Sequence, residues 1–108
     1  MTLLRKREEQ RRLRREEIRE QVRQRLKDAL RLLAPGERVV LFGSITRPHA
    51  FHERSDVDIA FTEVPKRYSP YRLQAMLEEM IHQPVDLVIL SECWFREKIE
   101  REGEVWTS

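Results

Sequence analysis

The hydrophobic positions of the chain first predict a long helix at its beginning. Residues 5–33 contain neither proline nor glycine and are rich in Arg, Glu, Leu and Gln, which favour helix. In the second half of this segment, apolar residues recur at steps of three and four, which is the spacing of one helix face. These residues are Ile18, Val22, Leu26, Ala29, Leu30 and Leu33. Before residue 18 the apolar pattern nearly vanishes, so we expect residues 1–17 to form a charged helical extension and residues 18–108 to form the domain.

Shorter apolar runs predict the remaining elements. A β-branched and aromatic run at 39–42, strict alternation at 56–61 and an apolar run at 85–90 each predict a strand. Helical spacing from Leu73 through Met76 and Met80 to Ile81 predicts a core helix, and residues 94–101 predict a final one. The expected order is α-β-β-α-β-α. This is an α+β (α/β) fold, with a small mixed sheet flanked by helices, and 108 residues suffice for one such domain.

Charge and composition narrow the class of protein. The chain has 21 Lys and Arg against 19 Asp and Glu, but residues 1–33 carry a net charge of +6 and the rest carries −4. No apolar run approaches the roughly 18 residues that cross a bilayer, and the first residues lack a hydrophobic signal core. We therefore expect a cytoplasmic protein without a membrane span. The single cysteine, Cys93, excludes an intramolecular disulfide and a thiolate zinc cage.

Three aspartates form the strongest candidate site. Asp56 and Asp58 lie two apart on a predicted strand, so their carboxylates project from the same face. Two like charges this close repel each other unless a cation lies between them, and Mg²⁺ prefers such oxygen ligands. Asp86 falls on the non-core face of the next strand, where it neighbours Asp58 if the strands pair. Together the three can hold two metal ions; the alternative is an ordinary exposed strand face.

Gly43 and Ser44 end the first predicted strand at a tight turn. Glycine lets a backbone approach phosphate closely, and Ser44 offers a hydroxyl and an N–H at the expected start of a helical turn. The same dipeptide is also typical of an ordinary turn. The order is what distinguishes this chain: an apolar strand, Gly43-Ser44, Asp56 and Asp58 on an alternating strand, a helix, and a strand that bears Asp86.

In this order of motifs the chain resembles the minimal nucleotidyltransferases of the DNA polymerase β-like superfamily. The matching segments are 41–47, 55–60, 85–88 and 95–103, within a resemblance that covers roughly residues 20–106. The resemblance implies a nucleotidyltransferase fold in which Gly43 and Ser44 contact a nucleotide triphosphate. It also implies that Asp56 and Asp58 bind Mg²⁺ and that Asp86 completes the metal site or acts as a base. Arg47 stands where the family usually carries a basic residue, although the family's Arg-Ala-Arg-Gly after Gly-Ser is replaced here by residues 45–49.

The same resemblance implies a biological role. Minimal nucleotidyltransferases often act as antitoxins of a HEPN-type toxin encoded beside them, and some transfer AMP from ATP to a tyrosine of that toxin. We therefore expect a hetero-oligomer with such a toxin, docked on the charged first helix. Two alternatives stay open: an antitoxin that acts by occlusion alone, and a nucleic-acid-binding module. Six acidic residues interleaved among the basic ones of residues 1–33 argue against the second alternative.

Two weaker patterns remain. His49 and His52 superficially suggest a zinc site, but they lie in a proline-containing segment, so we expect a solvated loop. Trp94 and Trp106 are expected to be packing residues, with an exposed tryptophan as a possible partner anchor.

Overall fold

A computed structural model describes residues 2–108 as three helices, four strands and two single turns of 3₁₀ helix. The helices are α1 (Leu3–Leu33), α2 (Pro70–Ile81) and α3 (Arg96–Glu102). The strands are β1 (Arg38–Phe42), β2 (Val57–Phe61), β3 (Val85–Ile89) and β4 (Glu104–Thr107). The 3₁₀ turns span Gly43–Thr46 and Leu90–Glu92.

Local capping explains where the two longer helices begin and end. The hydroxyl of Thr2 accepts the backbone N–H of Arg5 at the start of α1. Ser69 caps α2 in the same way, with Pro70 at the first helical position. At the other end of α2, His82 adopts a left-handed conformation with φ of 59°.

The sheet is mixed, as expected, but it contains one strand more than the sequence predicts. The strand order is β3-β2-β1-β4; β1 is antiparallel to both of its neighbours, and β2 is parallel to β3 through the α2 crossover. The predicted order α-β-β-α-β-α therefore lacks the final strand, Glu104–Thr107. This four-residue edge strand is defined by its pairing with β1, from Arg38↔Thr107 to Leu41↔Glu104, which local spacing does not reveal.

Helices cover both faces of the sheet, but unequally. The larger core lies on the α1 and α2 side and includes the buried side chains of Leu26, Leu41, Ile59, Phe61 and Leu77. A smaller cluster on the opposite face consists of Val40, Ala60, Leu90 and Ile99, with α3 packed over it. Because side chains alternate along a strand, Asp58 shares its face with Ala60 and thus lies on the α3 side.

The structure corrects two packing predictions and confirms one. Trp94 is 93% exposed and Met80 is 38% exposed, so neither is a core residue. Trp94 precedes α3, which begins two residues later than the predicted helix, and its ring meets only the edge of Phe95. Trp106, in contrast, is partly buried against the larger core. Within residues 2–108, no helix is both long enough and apolar enough to span a membrane.

Candidate active site

Strand pairing brings two of the three candidate aspartates side by side. Asp58 of β2 is the direct parallel partner of Asp86 of β3, which confirms the neighbourhood expected from strand alternation. Asp58 is half-buried and Asp86 is exposed. Asp56 lies just before β2 rather than within it, so the observed strand is shorter than the predicted 56–61 segment. Asp58 and Asp86 are therefore side by side at the start of two adjacent parallel strands, and Asp56 precedes them in the chain near enough to act on the charge of Asp58.

The electrostatics of this cluster fit a cation. Burial raises the pKa of Asp58 to about 6, and repulsion first from Asp86 and then from Asp56 contributes to the same rise. The folded chain thus holds negative charge where it is unfavourable. A bound cation would remove this penalty, and a set of carboxylate oxygens is the donor chemistry that Mg²⁺ selects.

The described residues do not, however, form a closed metal cage. Within residues 2–108, no group of three or more His, Cys, Asp or Glu side chains is placed so that it could hold a metal ion. Asp58 and Asp86 are paired neighbours, and a Mg²⁺ ion bound to them would take its other ligands from phosphate and water, as Mg²⁺ does in nucleotide-binding sites. Of the two loop histidines, His52 accepts the N–H of Arg54 at its Nδ1, and His49 lies beside Glu16.

The glycine-serine turn packs directly against this cluster. Gly43 has φ of +75°, and a Cβ added there would overlap Oδ2 of Asp58. Only glycine allows both this conformation and this close approach. The turn continues as the 3₁₀ helix Gly43–Thr46, so the expected helical turn is present with half-buried Ser44 in it. The glycine-serine turn and the carboxylate pair are thereby joined at one point of the molecule.

A cleft of about 540 Å³ opens from the same turn. Its walls come from the end of β1, the turn and α3, and they are formed by Phe42, Gly43, Thr46, Arg47, Phe95, Lys98, Ile99 and Glu102. The exposed Arg47 therefore lines the cleft together with Gly43, which also packs against Asp58; the three aspartates are not among the lining residues. The cleft combines two cations with half-buried aromatic rings, which suits an anionic ligand with a flat ring.

Sequence reasoning missed Lys98 as a candidate ligand-binding residue. It lies one turn into α3, and its neighbour Ile99 packs in the smaller core, so Lys98 is held at the cleft wall. The signal in the sequence was a lysine one position before a buried residue of a short helix. That signal points to a ligand-binding residue only when α3 is known to pack over the face of the sheet that carries Asp58.

A mixed sheet with a glycine-serine turn pressed against paired strand aspartates is the arrangement of a nucleotidyltransferase domain. Residues 20–108 match the family model described as "Polymerase beta, Nucleotidyltransferase", and the chain belongs to that family. This confirms, at the level of the family, the resemblance noted in the sequence.

Among solved structures, this chain is similar in fold to one chain of the structure described as "Crystal structure of the toxin-antitoxin with AMP-PNP". The TM-score is 0.60 at 23% sequence identity, over 79% of this chain and 73% of that chain. No curated protein matches the chain significantly. The structural similarity establishes the shared fold.

Proposed function

We propose that the protein is a Mg²⁺-dependent nucleotidyltransferase that transfers AMP from ATP to a hydroxyl group, a tyrosine side chain, of a HEPN-type toxin and thereby acts as its antitoxin. The observation that carries the chemistry is the packing of Gly43 on the Asp58 carboxylate, beside its strand partner Asp86. This joins a phosphate-binding turn to a cation-binding pair. Membership of the nucleotidyltransferase family supports the same chemistry.

The chain's own residues account for the proposed reaction. Ser44 and the backbone of its turn bind the triphosphate, while Arg47 and Lys98 attract its negative charge from the cleft wall. Asp58 and Asp86, with Asp56 beside them, would hold Mg²⁺, which would supply neutralising charge to the phosphates. The acceptor oxygen attacks the α-phosphorus, the bond to pyrophosphate breaks, and exposed Asp86 takes the proton of the hydroxyl. The products are an AMP ester of the acceptor and pyrophosphate.

The partner part of the proposal rests on similarity and on surface charge. The solved chain of similar fold belongs to a toxin-antitoxin with AMP-PNP, which favours a toxin partner and an adenine nucleotide for this chain too. In the present structure, α1 and the loop before β2 form a groove of about 330 Å³. It is lined by Arg11, Arg14, Arg15, Ile18, His52, Glu53 and Arg54. We place partner docking there, because four arginines against one glutamate favour an acidic protein surface.

Transfer is tested with the protein encoded beside this chain, co-purified as a complex. ATP labelled at the α-phosphate and Mg²⁺ should label the partner in the wild-type complex and not in the Asp56→Ala, Asp58→Ala double variant. Glu79→Gln, at an exposed position of α2, serves as the acidic control. An unlabelled partner in the wild-type complex contradicts the catalytic proposal. If the double variant still neutralises the toxin, neutralisation is by occlusion.

Docking is tested separately by charge reversal. Arg14→Glu with Arg15→Glu should weaken partner binding at least tenfold, because both residues line the groove. Arg5→Glu with Arg12→Glu makes the same change in net charge on α1 outside the groove and should leave binding nearly unchanged. Equal losses in the two double variants would contradict a specific docking groove. Tight RNA binding with a steep salt dependence would instead favour the nucleic-acid-binding alternative.

A further inference from the structure

Two arginines of α1 converge on the backbone of the glycine-serine turn. Arg19 Nε donates a hydrogen bond of 2.8 Å to the carbonyl oxygen of Ile45, and Arg23 Nη1 donates one of 3.4 Å to the same oxygen. Arg19 is only 9% exposed, although it belongs to the most highly charged part of the chain. A buried guanidinium is unfavourable unless its donors are satisfied, so this contact constrains both partners.

The contact completes the hydrogen bonding of the turn. The carbonyl of Gly43 accepts the hydroxyl of Thr46 at 2.7 Å, and that of Ser44 accepts the N–H of Arg47 at 3.1 Å. Carbonyls at the end of a short helix lack partners within the helix and need them from elsewhere. For Ile45 the partners come from α1, more than 20 residues away in sequence. Hydrogen bonds within the turn therefore hold the carbonyls of Gly43 and Ser44, and the two arginines of α1 hold the carbonyl of Ile45.

Acidic partners neutralise both guanidinium groups. Arg19 Nη1 lies 2.6 Å from Glu16 Oε1, and Arg23 makes a bidentate pair with Glu104 at 2.9 and 2.6 Å. The second oxygen of Glu16 accepts the backbone N–H of His49 at 3.2 Å. With their charges matched and Arg19 buried, the two arginines are not free to bind phosphate. The network instead ties Ile45 and His49 to α1.

We propose that Arg19, assisted by Arg23, is a positioning residue that holds the Gly43–Ser44 turn in the conformation that receives the triphosphate. This inference rests on the proposed function. It assigns the middle of α1 a role distinct from partner docking: α1 fixes the nucleotide-binding turn through the carbonyl of Ile45. A loosened turn would lose ATP affinity while the carboxylates and the sheet stayed in place.

The experiment compares Arg19→Met, which removes the donors, with Arg19→Lys, which keeps the charge and a single hydrogen-bonding nitrogen. Arg25→Met is the matched control, since Arg25 is an exposed arginine of the same helix. Amide hydrogen exchange of residues 44–49 is measured without nucleotide. The Kd of ATP with Mg²⁺ and the KM and kcat of transfer are measured at a temperature where all variants are folded.

We expect Arg19→Met to speed amide hydrogen exchange in residues 44–49 about tenfold and to leave exchange in β3 and α2 unchanged. The same variant should raise the Kd and the KM for ATP about tenfold, with a smaller change in kcat. Arg19→Lys should fall between Arg19→Met and wild type, and Arg25→Met should match wild type. Wild-type exchange and affinity in Arg19→Met would overturn the inference, as would faster exchange spread evenly over the whole domain. If Arg19→Met does not fold, Arg19→Lys decides by the same two measurements.

The two proposals fail in different ways. A wild-type protein that binds no ATP contradicts the proposed function, whereas hydrogen exchange in residues 44–49 still decides whether Arg19 holds the turn. If wild type binds ATP but the Arg19 variants bind it equally well, only the positioning role is overturned.

Discussion

Replacement of Asp58 by asparagine should stabilise the metal-free protein. Asp58 is half-buried next to Asp86, and burial together with repulsion raises its pKa from 3.8 to about 6. At neutral pH the folded chain must therefore keep an ionised carboxylate where it is disfavoured. Asparagine has nearly the same shape without the charge, so the variant removes the penalty and retains the packing.

The size of the effect follows from the pKa shift. A rise of about two units corresponds to at most about 3 kcal/mol of folding free energy. Since Asp58 is partly exposed to water, solvent screening reduces this to roughly 1 kcal/mol. For a domain of this size the melting temperature should rise by about 5 °C.

The pH dependence has a definite sign. An acid whose pKa is raised by folding binds its proton more tightly in the folded state, so its ionisation destabilises the fold. The advantage of Asp58→Asn should be complete above the folded pKa of about 6 and shrink as the pH falls below it. It should vanish below the ordinary value of 3.8, where Asp58 is protonated in both the folded and the unfolded chain.

Urea unfolding in EDTA at pH 7.5, 5 and 4 measures this difference, with Glu79→Gln as an exposed control. In a parallel series, Mg²⁺ with ATP should stabilise wild type and not Asp58→Asn, since the variant lacks a charged ligand. If Asp58→Asn is no more stable than wild type at pH 7.5 without metal, the carboxylates do not repel one another as the structure implies.

Two further predictions concern the turn and the edge strand. Gly43→Ala should leave a folded protein that transfers AMP about a hundredfold more slowly in the labelled-ATP assay, because its Cβ would displace the Asp58 carboxylate; activity near that of wild type would contradict the close packing. Arg23 lowers the pKa of Glu104 from 4.5 to about 2, so this pair stabilises the fold above pH 4.5 and loses its effect as the pH falls toward 2. Because the Glu104 side chain is 39% exposed, Glu104→Gln should lower the free energy of unfolding by only about 1 kcal/mol at pH 7, and it should have no effect near pH 2. Urea unfolding at the two pH values measures this difference. An equal loss at both pH values would show that the charge of Glu104 is not responsible.

The sequence predicted the carboxylate cluster because strand alternation is a local property. Asp58 and Asp86 each follow a buried residue of a strand, and a period of two places both on the face opposite the main core. Their direct pairing then requires only that two consecutive parallel strands be neighbours, which is the usual arrangement.

Features that depend on distant contacts were missed. β4 has four residues, too few for a clear alternation, and it becomes a strand by pairing with β1. Arg19 and Arg23 resemble the other arginines of α1 in sequence, and they differ only because Ile45 lies within reach after folding. Trp94 was expected to be a packing residue, with a partner anchor as the alternative if it were exposed; the chain turns there into α3 and the side chain is 93% exposed.

The position of Glu16 determines how docking and catalysis can be separated. A truncation at the predicted boundary, residues 1–17, would remove the docking arginines and Glu16 together. Glu16 is the residue that accepts hydrogen bonds from Arg19 and from the N–H of His49, so such a truncation would also loosen the turn that begins at Gly43. Loss of activity in the truncated chain would therefore not distinguish the two roles. Arg15 and Arg19 are separated by four residues, about 6 Å along the helix, yet charge reversal in the groove and substitution of Arg19 change different contacts. Point substitutions at these positions, rather than a deletion, are the appropriate test of each role.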